Sequence, residues 1–457
     1  MHLAPTERQQ RLRAELRTYF RELMPDGPPP ADDGARRRAL LRRIGADGLL
    51  GLGWPVAYGG QGRGADEQFV FFDEAYRAGA PVSMVTLNTV GPTLMAYGSE
   101  EQKAYFLPRI LSGETVFAIG YSEPSAGTDL ASLRTRAVRV DGDGGAEGQG
   151  VGGAEGWGAG TAAGGAVGGT GGGAGGGAGG GALGGAVGGA EGRPGGAGAG
   201  SHDERSDGPE AGRWRIDGQK IFTSNAQHAD WIWLACRTDP GAPRHEGISI
   251  LLVPTDAPGF SWTPIETVGG LMTTATYYDG VTVPAANLVG EENGGWRLIT
   301  SQLNHERVAL AALGLQAEDF YAAALEAART PDPVTGRRRI DEPWVRSRLA
   351  EVHARLAANR LLSWRLVGDV GAGRLAPGDA SGVKFAGTES TVATYRLCQE
   401  IVGAQALVRA GSPGVFGDGE LERLNRAAQI NTFGGGVSEV QREIVATMRL
   451  GMRRGRR

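Results

Sequence analysis

Apolar residues recur every three or four positions in the first part of the chain, which is the spacing of amphipathic helices. The first such pattern covers residues 6–23 and aligns Leu12, Leu16, Phe20 and Leu23. A second covers about residues 33–46. Ser99 and Gln102 have capping-box spacing, which predicts a further helix starting just after Ser99. We therefore predict an N-terminal helical domain over residues 1–115.

The periodicity changes to two after this domain, as in half-buried β-strands. Short runs of apolar and β-branched residues alternate with Gly, Asp and Pro, and the predicted strands cover residues 117–121, 133–140, 214–222, 229–237, 247–253 and 274–283. Asp217-Gly218 is a typical hairpin turn sequence. Residues 116–290 are therefore predicted to form an antiparallel β-sheet or barrel.

Helical periodicity returns near Gly295 and continues to the end of the sequence. The predicted helices cover about residues 296–328, 343–370, 383–401 and 436–450. The second of them carries an apolar stripe suited to helix packing, formed by Val345, Leu349, Val352 and Leu356. Residues 291–457 are therefore predicted to form a C-terminal helical bundle, and the fold class is α+β.

A glycine-rich segment, residues 141–213, separates two strands that otherwise look like neighbours. Of the 78 glycines in the chain, 32 lie between residues 141 and 200. Such a sequence cannot bury enough apolar surface to offset its ordering entropy. We predict a disordered surface insertion on a loop. The alternative is a partner-binding arm, for which Trp157 and Leu183 are the large apolar anchors.

Charge and cysteine content exclude several classes of function. The 44 arginines and 3 lysines are balanced by acids to a net charge of −4, so no basic surplus favours nucleic acid. Cys236 and Cys398 have no paired spacing, which argues against a disulfide framework or a thiolate metal site. No apolar run reaches membrane-spanning length. We expect a cytoplasmic protein with no metal and no membrane or nucleic-acid partner.

Residues 117–129 combine an apolar strand with a turn that is rich in hydroxyl groups. Pro124 and Gly127 end the strand, and O–H groups follow beside free backbone N–H groups on Tyr121, Ser122, Ser125 and Thr128. A flavin ring needs hydrogen bonds and apolar walls of this kind. An ordinary strand and turn would show the same residue types, so both interpretations remain open at this point.

Glu306 lies on the apolar stripe of its predicted helix, because the positions step by four, three, four and three through Ile299, Leu303, Glu306, Leu310 and Leu313. Burial disfavours the ionised form of a carboxylate and makes it a better base near neutral pH. The alternative is a buried acid paired with an arginine such as Arg307.

Several motifs resemble those of the acyl-CoA dehydrogenase family. Tyr-Ser-Glu-Pro-Ser-Ala-Gly-Thr-Asp at residues 121–129 is similar to the family's Thr-Glu-Pro-x-Ala-Gly-Ser-Asp. Residues 217–230 resemble its Asn-Gly-x-Lys-x-Trp-x-Thr-Asn-x-x-x-Ala-Asp. Residues 281–296 resemble the strand before its third domain, and Ser-Glu-Val-Gln-Arg at residues 438–442 resembles its Ser-Glu-Ile-Gln-Arg. The resemblance covers nearly the whole chain except residues 141–213.

The resemblance implies an FAD site between the domains, often shared across a subunit contact. The residues that fall on the family's flavin and substrate motifs are Tyr121, Ser122, Gly127, Thr128, Phe222 and Ser224. Phe222 replaces the usual Trp, and Ser224 replaces the usual Thr. Gln399 and Gly403 fall on the motif that meets the neighbouring subunit's FAD, although the usual glycine run after Gly403 is absent here.

The position of the catalytic base departs from many family members. Gly435 stands where they carry a glutamate before Ser-Glu-Ile-Gln-Arg, and glycine cannot accept a proton. A second branch of the family places its base in a Leu-x-x-Glu-Arg sequence on the helix that opens the third domain, which Leu303 to Arg307 match. We therefore expect Glu306 to be the base, with Arg307 tuning or positioning it.

The predicted reaction is α,β-dehydrogenation of an acyl thioester of coenzyme A or a carrier protein. An electron-transfer flavoprotein would reoxidise the FAD, and a homo- or hetero-tetramer or dimer is expected. The alternatives are a flavin oxidase or monooxygenase of the same fold, and a non-catalytic or partner-dependent subunit of a hetero-oligomeric dehydrogenase.

Overall fold

The first helices form the N-terminal part of the fold. The structure, a computed structural model, describes residues 5–140, 212–302 and 314–453. Its first α-helices are α1 (Glu7–Leu23), α2 (Gly34–Ala46), α3 (Ala65–Arg77), α4 (Gly91–Tyr97) and α5 (Glu100–Leu111). The predicted capping box is confirmed, since the Ser99 hydroxyl accepts from the Gln102 N–H and the Gln102 side chain accepts from the Ser99 N–H.

The middle of the chain forms an eight-stranded sheet. The strands are β1 (Phe117–Gly120), β2 (Arg136–Val140), β3 (Arg213–Lys220), β4 (Trp231–Arg237), β5 (Ile248–Pro254), β6 (Phe260–Glu266), β7 (Met272–Pro284) and β8 (Leu288–Val289). Their order is β6-β7-β3-β2-β4-β5-β8, and β1 pairs with β4. Most pairs are antiparallel as predicted, but β1 and β2 run parallel to β4.

The two strands that flank the glycine-rich segment are direct neighbours. Strands β2 and β3 are antiparallel, and Val140 pairs with Arg213. This register confirms that the two strands are neighbours. The segment between them therefore leaves β2 and enters β3 at the same end of the strand pair. The predicted disorder of the insertion concerns residues outside the described part of the chain.

The C-terminal part of the fold is helical. Helix α6 begins at residue 295 and is described as far as residue 302. It is followed by α7 (Ala317–Arg329), α8 (Pro343–Gly371), α9 (Pro377–Val402), α10 (Glu420–Ala427) and α11 (Ser438–Ile444). The predicted stripe on α8 is confirmed, because Val345, Leu349, Val352 and Leu356 are all buried in the core shared with α7 and α9.

Two local predictions were wrong, and strand β6 was missed. Asp217-Gly218 is not a hairpin turn: it lies inside β3 at a β-bulge, where the pairing with β7 shifts register. Strand β3 ends at Lys220, so Phe222 lies beyond it. Strand β6 was not predicted, because its residues are mostly exposed and Pro264 interrupts the run.

Candidate functional site

The two motifs that suggest a flavin meet where β1 and β3 end. The Ile221 N–H donates to the Ser122 carbonyl oxygen at 2.9 Å. The Lys220 ammonium donates to the Tyr121 carbonyl oxygen at 3.1 Å. These bonds join segments about a hundred residues apart in sequence. Together, residues 121–128 and 222–224 form what we call the turn surface.

A buried ion pair supports the turn surface from beneath. Lys220 is fully buried, and its Nζ lies 2.8 Å from Oε1 of Glu123. The Glu123 carboxylate also accepts backbone hydrogen bonds from Arg134 at 2.7 Å and Thr135 at 2.8 Å. Both charges are thus paired and hydrogen-bonded, as buried charges require.

The Glu123 carboxylate is stabilised in its ionised form. Burial alone would raise its pKa, but the charge and hydrogen bond of Lys220, together with the hydrogen bonds from Thr135, hold the pKa below its ordinary value. Glu123 and Lys220 lie in the two separate sequence motifs, and sequence reasoning did not pair them. The available signal was a lysine at the end of a strand whose alternate residues Trp214 and Ile216 are buried.

Phe222 presents an exposed aromatic face beside the turn. Its side chain is 61% exposed, and its backbone φ is +58°, a conformation that bulky residues rarely adopt. The next residue is fixed in β-sheet fashion, because the Thr223 N–H donates to Thr274 O at 2.9 Å and the Thr274 hydroxyl donates to Thr223 O at 2.6 Å. An exposed aromatic ring held by a strained backbone suits stacking on a planar ligand.

The rest of the turn surface is open. Glu123 and Ala126 exchange two backbone hydrogen bonds that close the turn. Gly127 and Thr128 are exposed beyond it, and a Cβ added to Gly127 would meet no atom within 4 Å. Ser224 is also exposed. The protein's own packing therefore does not require glycine at position 127. Close approach of a ligand to this position would require it.

Tyr121 connects the turn surface to helix α6. Its hydroxyl accepts from the Trp233 indole N–H at 3.1 Å and donates to the Gln302 side-chain oxygen. Trp233 and Gln302 are both buried. Gln302 was not among the residues singled out from sequence, since a glutamine on a helix gives no signal of its partners.

Glu306 and Arg307 lie outside the described residues. The described start of the predicted helix agrees with the apolar stripe at one position, because Ile299 is buried. The predicted continuous helix over residues 296–328 includes a 3₁₀ turn at Gly314–Gln316 before α7 begins.

Gly435, at the alternative position of the catalytic base, and the next residue, Gly436, both have positive φ angles. Gly435 has a φ of +65°, and Gly436 has a φ of +107°. The Lys384 ammonium donates to the Asn431 carbonyl at 2.8 Å and to the Gly436 carbonyl. A Cβ on Gly436 would lie 2.2 Å from Gln441 Nε2. The positive φ of Gly436 therefore favours glycine at this position, whereas the end of the Gln441 side chain is free to move away from a Cβ.

The corner formed by Gln399 and Gly403 lies in α9 and just after it, and it is covered by the chain's own side chains. Gln399 is buried and donates to the Ala406 carbonyl at 3.1 Å. Arg339 donates to the Ile401 carbonyl at 2.6 Å, and a Cβ on Gly403 would lie 3.2 Å from its Nη1. We call these contacts the Arg339 corner. They leave the Gln399 amide bound to this chain's own backbone.

Within residues 5–140, 212–302 and 314–453, no group of three or more His, Cys, Asp or Glu side chains could hold a metal ion. None of the helices in those ranges is both long and apolar enough to cross a membrane.

Comparison with known protein families matches three parts of the chain. Residues 6–114, 195–281 and 293–450 match the N-terminal, middle and C-terminal domains of acyl-CoA dehydrogenases, respectively. The chain is 42% identical over 473 residues to acyl-CoA dehydrogenase FadE26 of Mycobacterium tuberculosis, with all of both chains covered. It is 42% identical over 456 residues to FadE29 of the same organism, covering 98% of this chain and 97% of that one.

Solved structures show the same similarity. The Tcur3481-Tcur3483 steroid ACAD is 45% identical with a TM-score of 0.79, and the match covers 100% of both chains. The ChsE4-ChsE5 complex from Mycobacterium tuberculosis is 42% identical with a TM-score of 0.78 and the same coverage. Both names join two components.

Proposed function

Because this chain belongs to the acyl-CoA dehydrogenase family and is thus a flavoprotein oxidoreductase, we propose that it binds FAD and introduces an α,β double bond into an acyl thioester. Bound FAD supplies the hydride acceptor. The observation that carries this proposal is the turn surface, where an exposed Phe222 stands beside open hydroxyl and glycine positions. We propose the same domain division as above, at residues 1–115, 116–290 and 291–457.

The turn surface fits an isoalloxazine ring. Phe222 offers an aromatic wall, while Ser122, Thr128 and Ser224 offer hydroxyl groups that need no charge on the ligand. The buried Glu123 and Lys220 pair holds the backbone of the turn in place beneath these groups. Gly127 allows close approach of a ring edge because it has no side chain.

We propose Glu306 as the base that removes the α-proton. The support is its place on the apolar stripe predicted from the sequence, in which Ile299 is described and is buried. An apolar surrounding raises a carboxyl pKa towards the value that suits proton transfer near neutral pH. Arg307 would hold or tune that carboxylate. Gly435 leaves no competing acid at the alternative position.

The acyl group we propose is bulky and steroid-like. This extends to the chain what the name of its 45% identical relative states, a steroid ACAD. Gly435 supports it, since it carries no side chain where other family members carry a glutamate. Coenzyme A or a carrier protein would carry the thioester.

We further propose that an unlike partner chain completes the FAD site. The two similar solved structures carry two-component names, and the Arg339 corner leaves little of Gln399 free to meet a neighbour's FAD. An electron-transfer flavoprotein would accept the electrons. The alternative of a flavin oxidase is tested by rapid reaction of the reduced flavin with O₂.

The variant Glu306→Gln tests the proposed chemistry. The purified complex should still bind FAD, but a steroid acyl-CoA added without oxygen should bleach the flavin roughly 10²- to 10⁴-fold more slowly, the usual effect of losing a general base. Glu326→Gln is the matched control, because Glu326 is exposed on α7, and it should bleach at the normal rate. Normal bleaching by Glu306→Gln would reject the assigned base.

A further inference from the structure

Gln302 carries a buried hydrogen-bond donor for which the described residues provide no acceptor. The side chain is 1% exposed, and within residues 5–140, 212–302 and 314–453 its Nε2 has no hydrogen-bond partner. Most buried polar side-chain atoms in proteins are paired, since an unpaired one loses its hydration without compensation. An amide with two unmet N–H groups in the interior therefore calls for an acceptor from outside the described residues.

The hydrogen bonds around Tyr121 fix the direction in which this amide points. The Trp233 indole N–H can only donate, so the Tyr121 oxygen accepts it. The Tyr121 hydroxyl hydrogen is then directed to Gln302 Oε1. Because the oxygen of the amide is thereby engaged, Nε2 is the end turned away from Tyr121. The three residues form a chain of fixed polarity from strand β4 through the turn surface to helix α6.

The location of this chain links the donor to the turn surface. Tyr121 is the first residue of that surface, and its carbonyl is held by Lys220. Gln302 on α6 accepts from the Tyr121 hydroxyl, so the orphan donor stands where the helix meets the turn. Other buried unpaired atoms, such as Trp214 Nε1 and Ser381 Oγ, lie in β3 and α9 and share no bond with the turn.

We propose that Gln302 is a ligand-positioning residue whose Nε2 donates to a neutral carbonyl oxygen of the group bound at the turn surface. This inference rests on the proposed function. Two sources could supply that oxygen: a ring carbonyl of FAD or a ketone on the acyl group. An uncharged acceptor fits because the neighbouring groups in the chain, an indole, a phenol and an amide, are all neutral.

The test uses Gln302→Met in the complete FAD-containing complex. Methionine keeps the length of the side chain and removes both the Nε2 donor and the Oε1 acceptor of the Tyr121 hydroxyl. Two kinds of quantity are measured: the dissociation constant and reduction midpoint potential of FAD without substrate, and the affinities for a steroid acyl-CoA with a ring ketone and for its deoxy counterpart. Gln10→Met is the matched control, because Gln10 is exposed on α1, and it should change neither quantity.

The two sources give different results. If the acceptor is on FAD, Gln302→Met should weaken FAD binding roughly three- to tenfold, as expected for one lost hydrogen bond, and shift its potential. If the acceptor is the ketone, the preference for the ketone thioester over the deoxy one should fall by a similar factor while FAD binding stays the same. Tyr121→Phe frees the amide to rotate and should cause a smaller change in the same quantity.

The inference would be overturned if Gln302→Met left FAD binding, the potential and the ketone preference unchanged and raised the unfolding midpoint. The unpaired donor would then only destabilise the fold and would not bind a ligand. If Gln302→Met does not fold, the inference is overturned instead by a Tyr121→Phe variant whose FAD binding, potential and ketone preference are unchanged. A wild-type complex that binds neither FAD nor thioester would reject the proposed function as well. Normal wild-type binding with silent variants rejects only the role of Gln302.

Discussion

The turn surface and the Arg339 corner match the same family's FAD motifs, yet their local contacts differ. At the turn surface, Phe222 is 61% exposed and Gly127 meets no neighbouring atom. At the Arg339 corner, the Gln399 amide is buried and bonded to Ala406, and a guanidinium lies against Gly403. One motif is open to a ligand and the other is filled by the chain itself.

This difference shows that a motif match locates a position but does not establish that it is available. Polar groups that bind ligands must be left without internal partners, or exchange those partners at some cost. At the Arg339 corner, the Gln399 amide nitrogen and the Arg339 guanidinium donate to carbonyl groups of the chain itself. The turn surface is instead held from beneath by Lys220 and Glu123, which leaves its outer face free.

The largest expected effect is on the support of the turn surface. Lys220→Met leaves the buried Glu123 carboxylate without its charge partner, which should cost about 3–5 kcal/mol of the free energy of unfolding. FAD should be lost as the turn loosens, while the Arg339 corner is unaffected. Chemical denaturation and flavin absorbance of the purified variant measure both effects. Retained stability and FAD would show that the pair does not support the turn.

The pH dependence provides the control for this pair. The folded-state pKa of Glu123 lies below its ordinary value of 4.5. The stability that its ionised form contributes is therefore present above pH 4.5 and lost as the pH falls through the lowered pKa. Glu123→Gln should flatten that part of the acid limb. An identical acid limb in the variant would contradict the assignment.

The second prediction compares the two regions directly. Phe222→Ala removes the exposed ring and should weaken FAD binding roughly tenfold with little change in stability. Arg339→Ala should do the opposite. The affinity of the turn surface for FAD should change less than about twofold, and the free energy of unfolding should fall by about 1 kcal/mol because hydrogen bonds to backbone carbonyls are lost. Fluorescence titration with FAD and denaturation measure the two quantities. Equal FAD losses would remove the distinction.

The smallest effect is expected from a change that touches neither region. Replacing residues 141–211 by one Asn creates an Asn-Gly turn with Gly212 between the paired Val140 and Arg213. Gly212 keeps its carbonyl bond to Ala285. The unfolding free energy and the rate of thioester oxidation should change by less than about 0.5 kcal/mol and twofold, respectively. A large loss of rate would instead favour a partner-binding arm.

Sequence patterns predicted the elements whose burial follows a strict period. Helices α1 and α8 were found because their apolar stripes are regular and their starts carry caps or proline. Helix α10 was missed because it has eight residues, and strand β6 because its exposed residues show no alternation. Asp217-Gly218 misled because a bulge and a turn use the same residue types.

Only the residues of the site that belong to the sequence motifs could be predicted. The segments around Tyr121 and Phe222 were both assigned to flavin and substrate motifs through the family resemblance, and their hydrogen bonds show that they meet. The contact of Arg339 with Gly403 was not predictable, since it joins residues 64 positions apart through a long flexible side chain. The same holds for Tyr121 and Gln302, whose pairing depends on how α6 lies on the sheet.

The number of FAD molecules per chain tests the central claim most directly. If the turn surface binds FAD and the Arg339 corner cannot complete a neighbour's site, the purified complex should contain one FAD for each pair of unlike chains, and this chain expressed alone should be colourless. Flavin absorbance after denaturation, divided by protein from amino-acid analysis, gives the ratio. One FAD per copy in a homo-oligomer of this chain would contradict the claim, because the Arg339 corner would then have to serve a second flavin.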